Sequence, residues 1–171
     1  FDPVDGTTNY AHGLPIYCAS LALEIDGEPV VGAIYDPSRQ ELFTAERGRG
    51  AYKNGERLAV SQTASLEDAL LVTGFPYSVR ESSADLVGLF ARFLESAQAV
   101  RRLGSAALDL CYVASGRFDT FWEQHLKPWT WPQGCSLSEK PAEPSPAWMA
   151  PRSIPQLAIW SRRTRRFTPR F

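Results

Sequence analysis

Apolar and polar residues alternate in short runs over the first third of the chain. Two apolar runs, at residues 16–25 and 29–35, are separated by an Asp-Gly dipeptide at 26–27, which favours a two-residue hairpin turn. A third run at 41–45 and an Asn-Gly dipeptide at 54–55 continue the same pattern. This spacing predicts a meander of antiparallel strands.

A helical period replaces the strand pattern further along the chain. Residues 81–98 are predicted to form a helix with one apolar face in the core. The residues on that face are Leu86, Leu89, Phe90, Phe93 and Leu94. A second helix is predicted over 105–115, with Ser105 as its N-cap, and residues 118–123 are strand-like. Strands that precede helices without a strict βαβ repeat indicate a layered α/β or α+β fold.

Composition changes near Trp129. Residues 130–171 contain seven of the thirteen prolines, and they hold seven Lys and Arg against two Asp and Glu. They also lack a sustained apolar period. We therefore predict a folded domain over 1–129 and a disordered tail over 130–171. The basic run at 162–166 makes nucleic-acid binding an alternative, but out-of-frame translation, described below, explains the tail better, and no nucleic-acid partner is expected.

Other compositional features limit the class of protein. The chain has no run of eighteen apolar residues, so no membrane partner is expected. Its three cysteines, Cys18, Cys111 and Cys135, are odd in number and scattered. This usage is typical of reduced thiols and predicts a cytoplasmic protein rather than a disulfide framework or a zinc site.

The residues with the clearest chemistry lie at 2–9 (DPVDGTTN). Proline at position 3 favours an extended backbone before it, so Asp2 and Asp5 can direct their oxygens at a hard cation such as Mg²⁺, with the Val4 carbonyl as a further ligand. If a helix starts at Thr7, its free N–H groups face an anion such as phosphate. The alternative is a capped turn in which the two aspartates have only a structural role.

These eight residues resemble the first signature of the inositol monophosphatase family. The segment that follows, 9–15 (NYAHGLP), is similar to the inositol-monophosphatase branch of that family. Further similar segments follow in order at 31–37 (VGAIYDP), 45–55 (AERGRGAYKNG), 104–109 (GSAALD) and 121–123 (FWE). The resemblance covers residues 1–129. It implies an incomplete layered α-β-α-β-α sandwich of the inositol monophosphatase and fructose bisphosphatase type.

The resemblance also implies an activity and a metal site. The expected function is Mg²⁺-dependent hydrolysis of a phosphate monoester, either inositol monophosphate or a similar sugar phosphate, by metal-activated water. Asp2, the Val4 carbonyl and Asp5 would bind Mg²⁺. Gly6 and Thr7 would hold phosphate oxygens through their backbone N–H groups, and the Thr7 hydroxyl would help to position the attacking water. Asp5 and Thr7 are therefore the implied catalytic residues.

A second group of residues would bind the rest of a small-molecule substrate. Gly104, Ser105 and Ala106 would line the polyol site, and Glu123 would accept hydrogen bonds from substrate hydroxyls. No phosphoenzyme is expected, so neither histidine is needed as a nucleophile. The family commonly forms homodimers, and this is the one macromolecular partner that the resemblance suggests.

Two departures from the family pattern bear on activity. The family supplies more carboxylate ligands, and a partner for Thr7, from a segment upstream of this signature, and Phe1 begins too late to contain them. The second signature of the family reads WDxAAG, but here Thr130 follows Trp129. Threonine is neutral and a poor substitute for a Mg²⁺-binding carboxylate. The alternative to an active enzyme is therefore a truncated, inactive remnant.

The genetic code offers an explanation for the second departure. Residues 129–134 (WTWPQG) must be encoded as TGG-ACN-TGG-CCN-CAR-GGN. One G inserted after the first codon changes this message to TGG-GAC-NTG-GCC-NCA-RGG, which begins Trp-Asp and contains the missing signature. We therefore expect a one-base deletion or a sequencing error at codon 130, and a tail that is out-of-frame translation with no selected function.

Overall fold

The computed structural model describes residues 1–26, 28–76, 79, 84–124 and 157–160. The helices are α1 (Thr7–Ala11), α2 (Ala84–Ser96) and α3 (Ala106–Ala114). The strands are β1 (Asp2–Asp5), β2 (Cys18–Ile25), β3 (Glu28–Asp36), β4 (Glu41–Glu46), β5 (Gly50–Lys53), β6 (Glu56–Arg57), β7 (Leu70–Thr73), β8 (Ala99–Arg101), β9 (Thr120–Gln124) and β10 (Leu157–Trp160). The departure at Thr130 and the basic run at 162–166 lie outside the described residues.

The first six strands form one antiparallel sheet in chain order. The predicted meander is confirmed, and its turns have the expected backbone. Asp26, the residue after β2, has a φ of 54°. In the turn between β5 and β6, φ is 49° at Asn54 and 85° at Gly55. Two consecutive residues with positive φ are characteristic of a type I′ hairpin, which asparagine and glycine tolerate best.

The second sheet mixes strand directions. Its order is β10-β9-β7-β8, with β7 parallel to both β8 and β9 and β10 antiparallel to β9. The predicted strand at 118–123 is confirmed as β9. The strand β10 comes from the segment that was predicted to be disordered, and the rest of that segment lies outside the described residues.

Helix α3 lies between the two sheets and contacts both, through β2 and β3 on one side and β7 and β9 on the other. It is buried from Ala107 to Ala114, as expected for a helix whose own residues are mostly apolar on every side. The main core joins it to both sheets, and the largest of its fully buried side chains are those of Ile34, Phe43, Val72, Leu108, Val113 and Phe121.

Helix α2 covers the other face of the second sheet. Leu89, Phe90 and Phe93 pack against Leu71 and Trp122, and the Phe93 and Trp122 ring centroids are 4.4 Å apart. The described residues thus form four layers in the order sheet, helix, sheet, helix, which agrees with an incomplete α-β-α-β-α sandwich.

The predicted apolar face of α2 is wrong at one position. Leu94 is 56% exposed, whereas Leu86 is buried. Each helical residue advances the side chain by about 100°, so Leu94 falls at the edge of the stripe that Leu86 and Phe93 define. The helix also ends at Ser96, before the predicted end at residue 98.

The outer face of the first sheet carries exposed apolar side chains. They are Leu21, Leu23, Ile25, Val31, Tyr35 and Leu42. Alternation along β2, β3 and β4 places them on the face opposite α3. Among the described residues, no helix is long and apolar enough to cross a membrane.

Candidate active site

The junction of β1 and α1 is a turn that requires glycine. Gly6 has a φ of 89°, and a Cβ atom there would lie 2.8 Å from the Ile16 carbonyl oxygen. The helix starts at Thr7, which is the condition on which the phosphate-binding interpretation depended. The Thr7 hydroxyl donates to the Val4 carbonyl over 2.9 Å, and the Val4 N–H donates to Asp2 Oδ1 over 3.1 Å. The predicted phosphate and metal residues are therefore adjacent within one ordered turn.

Asp5 connects this turn to the N-terminus of α3. Its Oδ2 accepts a hydrogen bond of 2.6 Å from the Ser105 hydroxyl and one of 3.0 Å from the Ala107 N–H. Ser105 is the N-cap of α3, as predicted, and its oxygen also accepts from the Leu108 N–H. Burial raises the pKa of Asp5, the bonds from Ser105 and Ala107 oppose that rise, and the charge of Asp2 adds to it.

Asn9 connects α1 to the loop before α3. Its amide donates to the Ile16 and Leu103 carbonyls, both over 2.8 Å. Gly104 follows with a φ of 92°, and a Cβ atom there would lie 3.0 Å from Asn9 Nδ2 and 2.9 Å from the Arg102 guanidinium. Glycine is therefore required at this position for close approach as well as for its backbone conformation.

Glu123 projects from β9 and is half-buried. Its carboxylate lies so close to Gly74 that a Cβ atom on that glycine would fall 2.0 Å from Oε2. Burial raises the pKa of Glu123 to about 7, the positive charge of Arg102 opposes that rise, and the negative charge of Asp5 adds to it. The effect of the Asp5 charge on Glu123 indicates that β1 and β9 bring their carboxylates to the same region of the molecule.

The structure distinguishes the predicted site residues by accessibility. Thr7 is exposed, and Asp2, Val4 and Asp5 are half-buried, so each could be reached by a ligand. Ser105 is only 1% exposed. Its hydroxyl donates to Asp5 and accepts from the Leu108 N–H as the N-cap of α3. Ser105 therefore supports the turn through Asp5.

Two more predicted residues lie at the same place. Gly104 and Ala106, on either side of Ser105, are half-buried and so more accessible than that serine. His12, which was not assigned a catalytic role, is exposed at the end of α1. Cys18 and Cys111 are free and buried, as expected for reduced thiols.

The turn at residues 2–7 presents oxygen donors of the type that Mg²⁺ requires. Asp2, Asp5 and the Val4 carbonyl provide hard oxygen atoms, which are the type that Mg²⁺ prefers. Asp2 lies close enough to Asp5 for its negative charge to raise the pKa of Asp5. In the part of the chain that the structure describes, however, no three His, Cys, Asp or Glu side chains form a group that could hold a metal ion. The donors fit Mg²⁺ in type and would supply part of a coordination shell.

Three residues of this region were not predicted as site residues. Asn9 belongs to the opening signature at 2–9, and that membership was the signal that sequence reasoning could have used. Asp109 is a single carboxylate within an otherwise apolar helix, which is also visible in the sequence. Gly74 had no sequence signal, because its contact with Glu123 depends on the pairing of β7 with β9.

The family model and the curated relatives that match this chain point to the same family. The family model described as "Inositol monophosphatase family" matches residues 1–131. An inositol-1-monophosphatase of Mesorhizobium japonicum is 46% identical over 75% of this chain and 48% of the relative. The Nus factor SuhB of Pseudomonas aeruginosa is 46% identical over 81% of this chain and 52% of the relative. The chain spans about half the length of the curated relatives it matches.

A solved structure shows the same fold. The inositol monophosphatase from Anabaena (Nostoc) sp. PCC 7120 superposes with a TM-score of 0.76 at 48% identity, covering 79% of this chain and 54% of that one. The family match extends over more than half of the chain and ends close after Trp129. Together with the glycine turn, the Asp5 anchor and the two-sheet architecture, these matches show that the chain belongs to the inositol monophosphatase family.

Proposed function

We propose that this chain forms the phosphate-binding and polyol-binding parts of a Mg²⁺-dependent phosphate monoester hydrolase. The substrate would be inositol monophosphate or a similar sugar phosphate. The observation that supports this most directly is the pair of hydrogen bonds from Ser105 and Ala107 to Asp5. They join the opening signature to the substrate loop, as a site that holds both a phosphate and its polyol requires.

The turn at Thr7 is suited to hold a phosphate and a water molecule. As the first residue of α1, Thr7 has an N–H group with no helical carbonyl to bind, so it can donate to a phosphate oxygen, as can the neighbouring Gly6 backbone. The Thr7 hydroxyl proton is already donated to the Val4 carbonyl. Its oxygen can therefore accept a hydrogen bond from an attacking water and orient that water toward phosphorus.

Mg²⁺ would be held by the Asp2 and Asp5 carboxylates and the Val4 carbonyl. When bound, it would lower the pKa of the attacking water and stabilise the leaving alkoxide. Ser105 and Ala107 hold one oxygen of Asp5 in a fixed direction, so that carboxylate does not need to be ordered when a ligand arrives.

Glu123 would bind the polyol, with Gly104 and Ala106 lining the same region. A pKa of about 7 means that the Glu123 carboxyl changes its charge near neutral pH. In the ionised form it accepts hydrogen bonds from two substrate hydroxyls, and these bonds are stronger than those to a neutral carboxyl.

The second proposal is that these 171 residues lack turnover although they derive from such an enzyme. It is favoured by the incomplete set of metal donors among the described residues. Thr130 in place of an aspartate points the same way from the sequence. We therefore expect binding of substrate with little or no phosphate release.

Two measurements on the full chain test these proposals. Calorimetry should show Mg²⁺-dependent binding of inositol-1-phosphate that is lost in Asp5→Asn and retained in Asp26→Asn, a matched change at an exposed hairpin aspartate. Absence of binding in the unsubstituted chain, with or without Mg²⁺, would contradict the proposed function. Phosphate release then decides between the two forms, since robust Mg²⁺-dependent hydrolysis would refute the inactive form.

A further inference from the structure

The loop at residues 12–17, between α1 and β2, lies directly against the phosphate turn. A Cβ atom on Gly6 would fall 2.8 Å from the Ile16 carbonyl oxygen and 3.2 Å from the Tyr17 Cα, so the backbones of turn and loop are in close contact. The loop belongs to neither a helix nor a strand. A shift of this loop would therefore change the space in which Gly6 takes its backbone conformation.

Two side chains hold successive carbonyl groups of the loop. The Asn9 amide, from α1 itself, donates to the Ile16 carbonyl over 2.8 Å. Arg39 Nη1 donates to the Pro15 carbonyl over 3.1 Å. Arg39 lies 24 positions from Pro15, in the turn between β3 and β4, so it connects the loop to a separate hairpin of the first sheet.

The guanidinium group of Arg39 is itself fixed. Its Nη1 also donates to Asp36 Oδ2 over 3.0 Å, and the Asp36 side chain is completely buried. Asp36 further accepts from the Ser38 and Arg39 N–H groups and from the Tyr112 hydroxyl on α3. The Arg39 guanidinium carbon lies 6.0 Å from the centroid of the Tyr112 ring, at the limit of cation–π attraction. Arg39 thus reaches Pro15 from a buried and fully hydrogen-bonded support.

We propose that Arg39 is a positioning residue for the phosphate turn. Through the Pro15 carbonyl it fixes the loop that contacts Gly6, and the N–H groups of Gly6 and Thr7 then keep the direction that a phosphate oxygen requires. The consequence for phosphate rests on the proposed function, whereas the effect on loop and turn does not. The alternative is that Arg39 only neutralises the buried Asp36.

Amide hydrogen exchange and ¹H–¹⁵N spectra of the full chain without ligand test the effect on the loop. The Leu14 and Ile16 N–H groups bond to carbonyls within residues 9–14, so their exchange reports opening of the loop. Arg39→Met keeps the aliphatic stem, and it should speed both rates about tenfold and shift the Gly6 and Thr7 N–H signals.

Arg39→Lys should rescue most of this loss. Both acceptors bond to the same nitrogen of Arg39, and a lysine ammonium group has three donors that can serve the two of them. We expect exchange rates within about threefold of the unsubstituted chain. Arg47→Met is the matched control, because it removes an exposed ion pair with Glu28 on the same sheet and should leave the loop unchanged.

Calorimetry with inorganic phosphate and Mg²⁺ tests the consequence for binding. The Kd should rise about tenfold in Arg39→Met and recover in Arg39→Lys. Tyr112→Phe separates this effect from stability, because it removes a hydrogen bond to Asp36 and leaves the bond to Pro15 in place. This variant should lower the free energy of unfolding and leave the phosphate Kd unchanged.

Three outcomes would overturn the inference. They are unchanged exchange at Leu14 and Ile16 in Arg39→Met, an unchanged phosphate Kd in that variant, or an equal loss of affinity in Tyr112→Phe. The last would show that binding only follows stability. If the unsubstituted chain binds no phosphate while the loop exchange and the Gly6 and Thr7 signals respond to Arg39, the proposed function is contradicted and the positioning of the turn is supported.

Discussion

Ser105→Ala removes both roles of that serine, the hydrogen bond to Asp5 and the N-cap of α3. The variant removes the hydroxyl that donates to Asp5 over 2.6 Å and that also accepts from the Leu108 N–H as the N-cap of α3. Loss of an N-cap costs about 1 kcal/mol, and loss of a hydrogen bond to a charged, largely buried group costs about 1.5–3 kcal/mol. The free energy of unfolding should therefore fall by about 2–4 kcal/mol.

Urea denaturation at pH 8 measures this difference, and a double-mutant cycle divides it. With Asp5→Asn as the background, Ser105→Ala should cost only the cap, about 1 kcal/mol. Ser96→Ala is the control, because its hydroxyl is exposed and bonds only to the Arg92 carbonyl within α2. An equal cost of Ser105→Ala in both backgrounds would show that the hydroxyl does not stabilise Asp5, and the contact between the opening signature and the start of α3 would then have no energetic basis.

Three further predictions concern glycines and pH. Gly6→Ala and Gly13→Ala both place alanine at positive φ, but only the first meets backbone atoms. By urea denaturation, Gly6→Ala should cost more than the roughly 1–2 kcal/mol expected for Gly13→Ala, and equal costs would refute the close approach. Gly74→Ala should displace the Glu123 carboxylate and shift its NMR titration, whereas Gly88→Ala, in open space within α2, should leave it unchanged. Finally, burial raises the pKa of Glu123 in the folded chain to about 7 from its ordinary value of 4.5, so the unfolded chain releases its proton first. The free energy of unfolding should thus fall as pH rises from 4.5 to 7, and urea denaturation across that range should show a smaller fall for Glu123→Gln.

Local chemistry explains what the sequence predicted well. The hairpins follow from dipeptides that tolerate positive φ, as Asn54 and Gly55 show. The start of α1 at Thr7 and the Ser105 cap follow from residue preferences at helix ends. Each of these features depends on neighbours only a few positions away, so one sequence is enough to predict them. The error at Leu94 has the same origin, because a periodic pattern locates a face but not its edge.

Contacts between distant segments explain what the sequence could not predict. Nothing local to Asp5 indicates that its carboxylate binds Ser105 and Ala107, which are about a hundred positions away. The placement of Glu123 against Gly74 likewise requires the parallel pairing of β7 with β9. The family resemblance indicated which residues to expect in the site. The burial and the neighbouring charges that raise the pKa values of Asp5 and Glu123 became visible only in the folded chain.

The double role of Ser105 implies that the phosphate turn and α3 form together. The hydroxyl that caps the helix also donates a hydrogen bond to Asp5. The Asp5 carboxylate is therefore held in place only when the N-terminus of α3 has formed. Because α3 is buried between both sheets, its position depends in turn on core residues such as Leu108 and Val113. Changes in that core should therefore loosen ligand binding at Asp5 without touching any residue of the turn. Local hydrogen bonds hold Thr7, Val4 and Asp2 within the turn, whereas the direction of the Asp5 carboxylate depends on the packing of a distant helix.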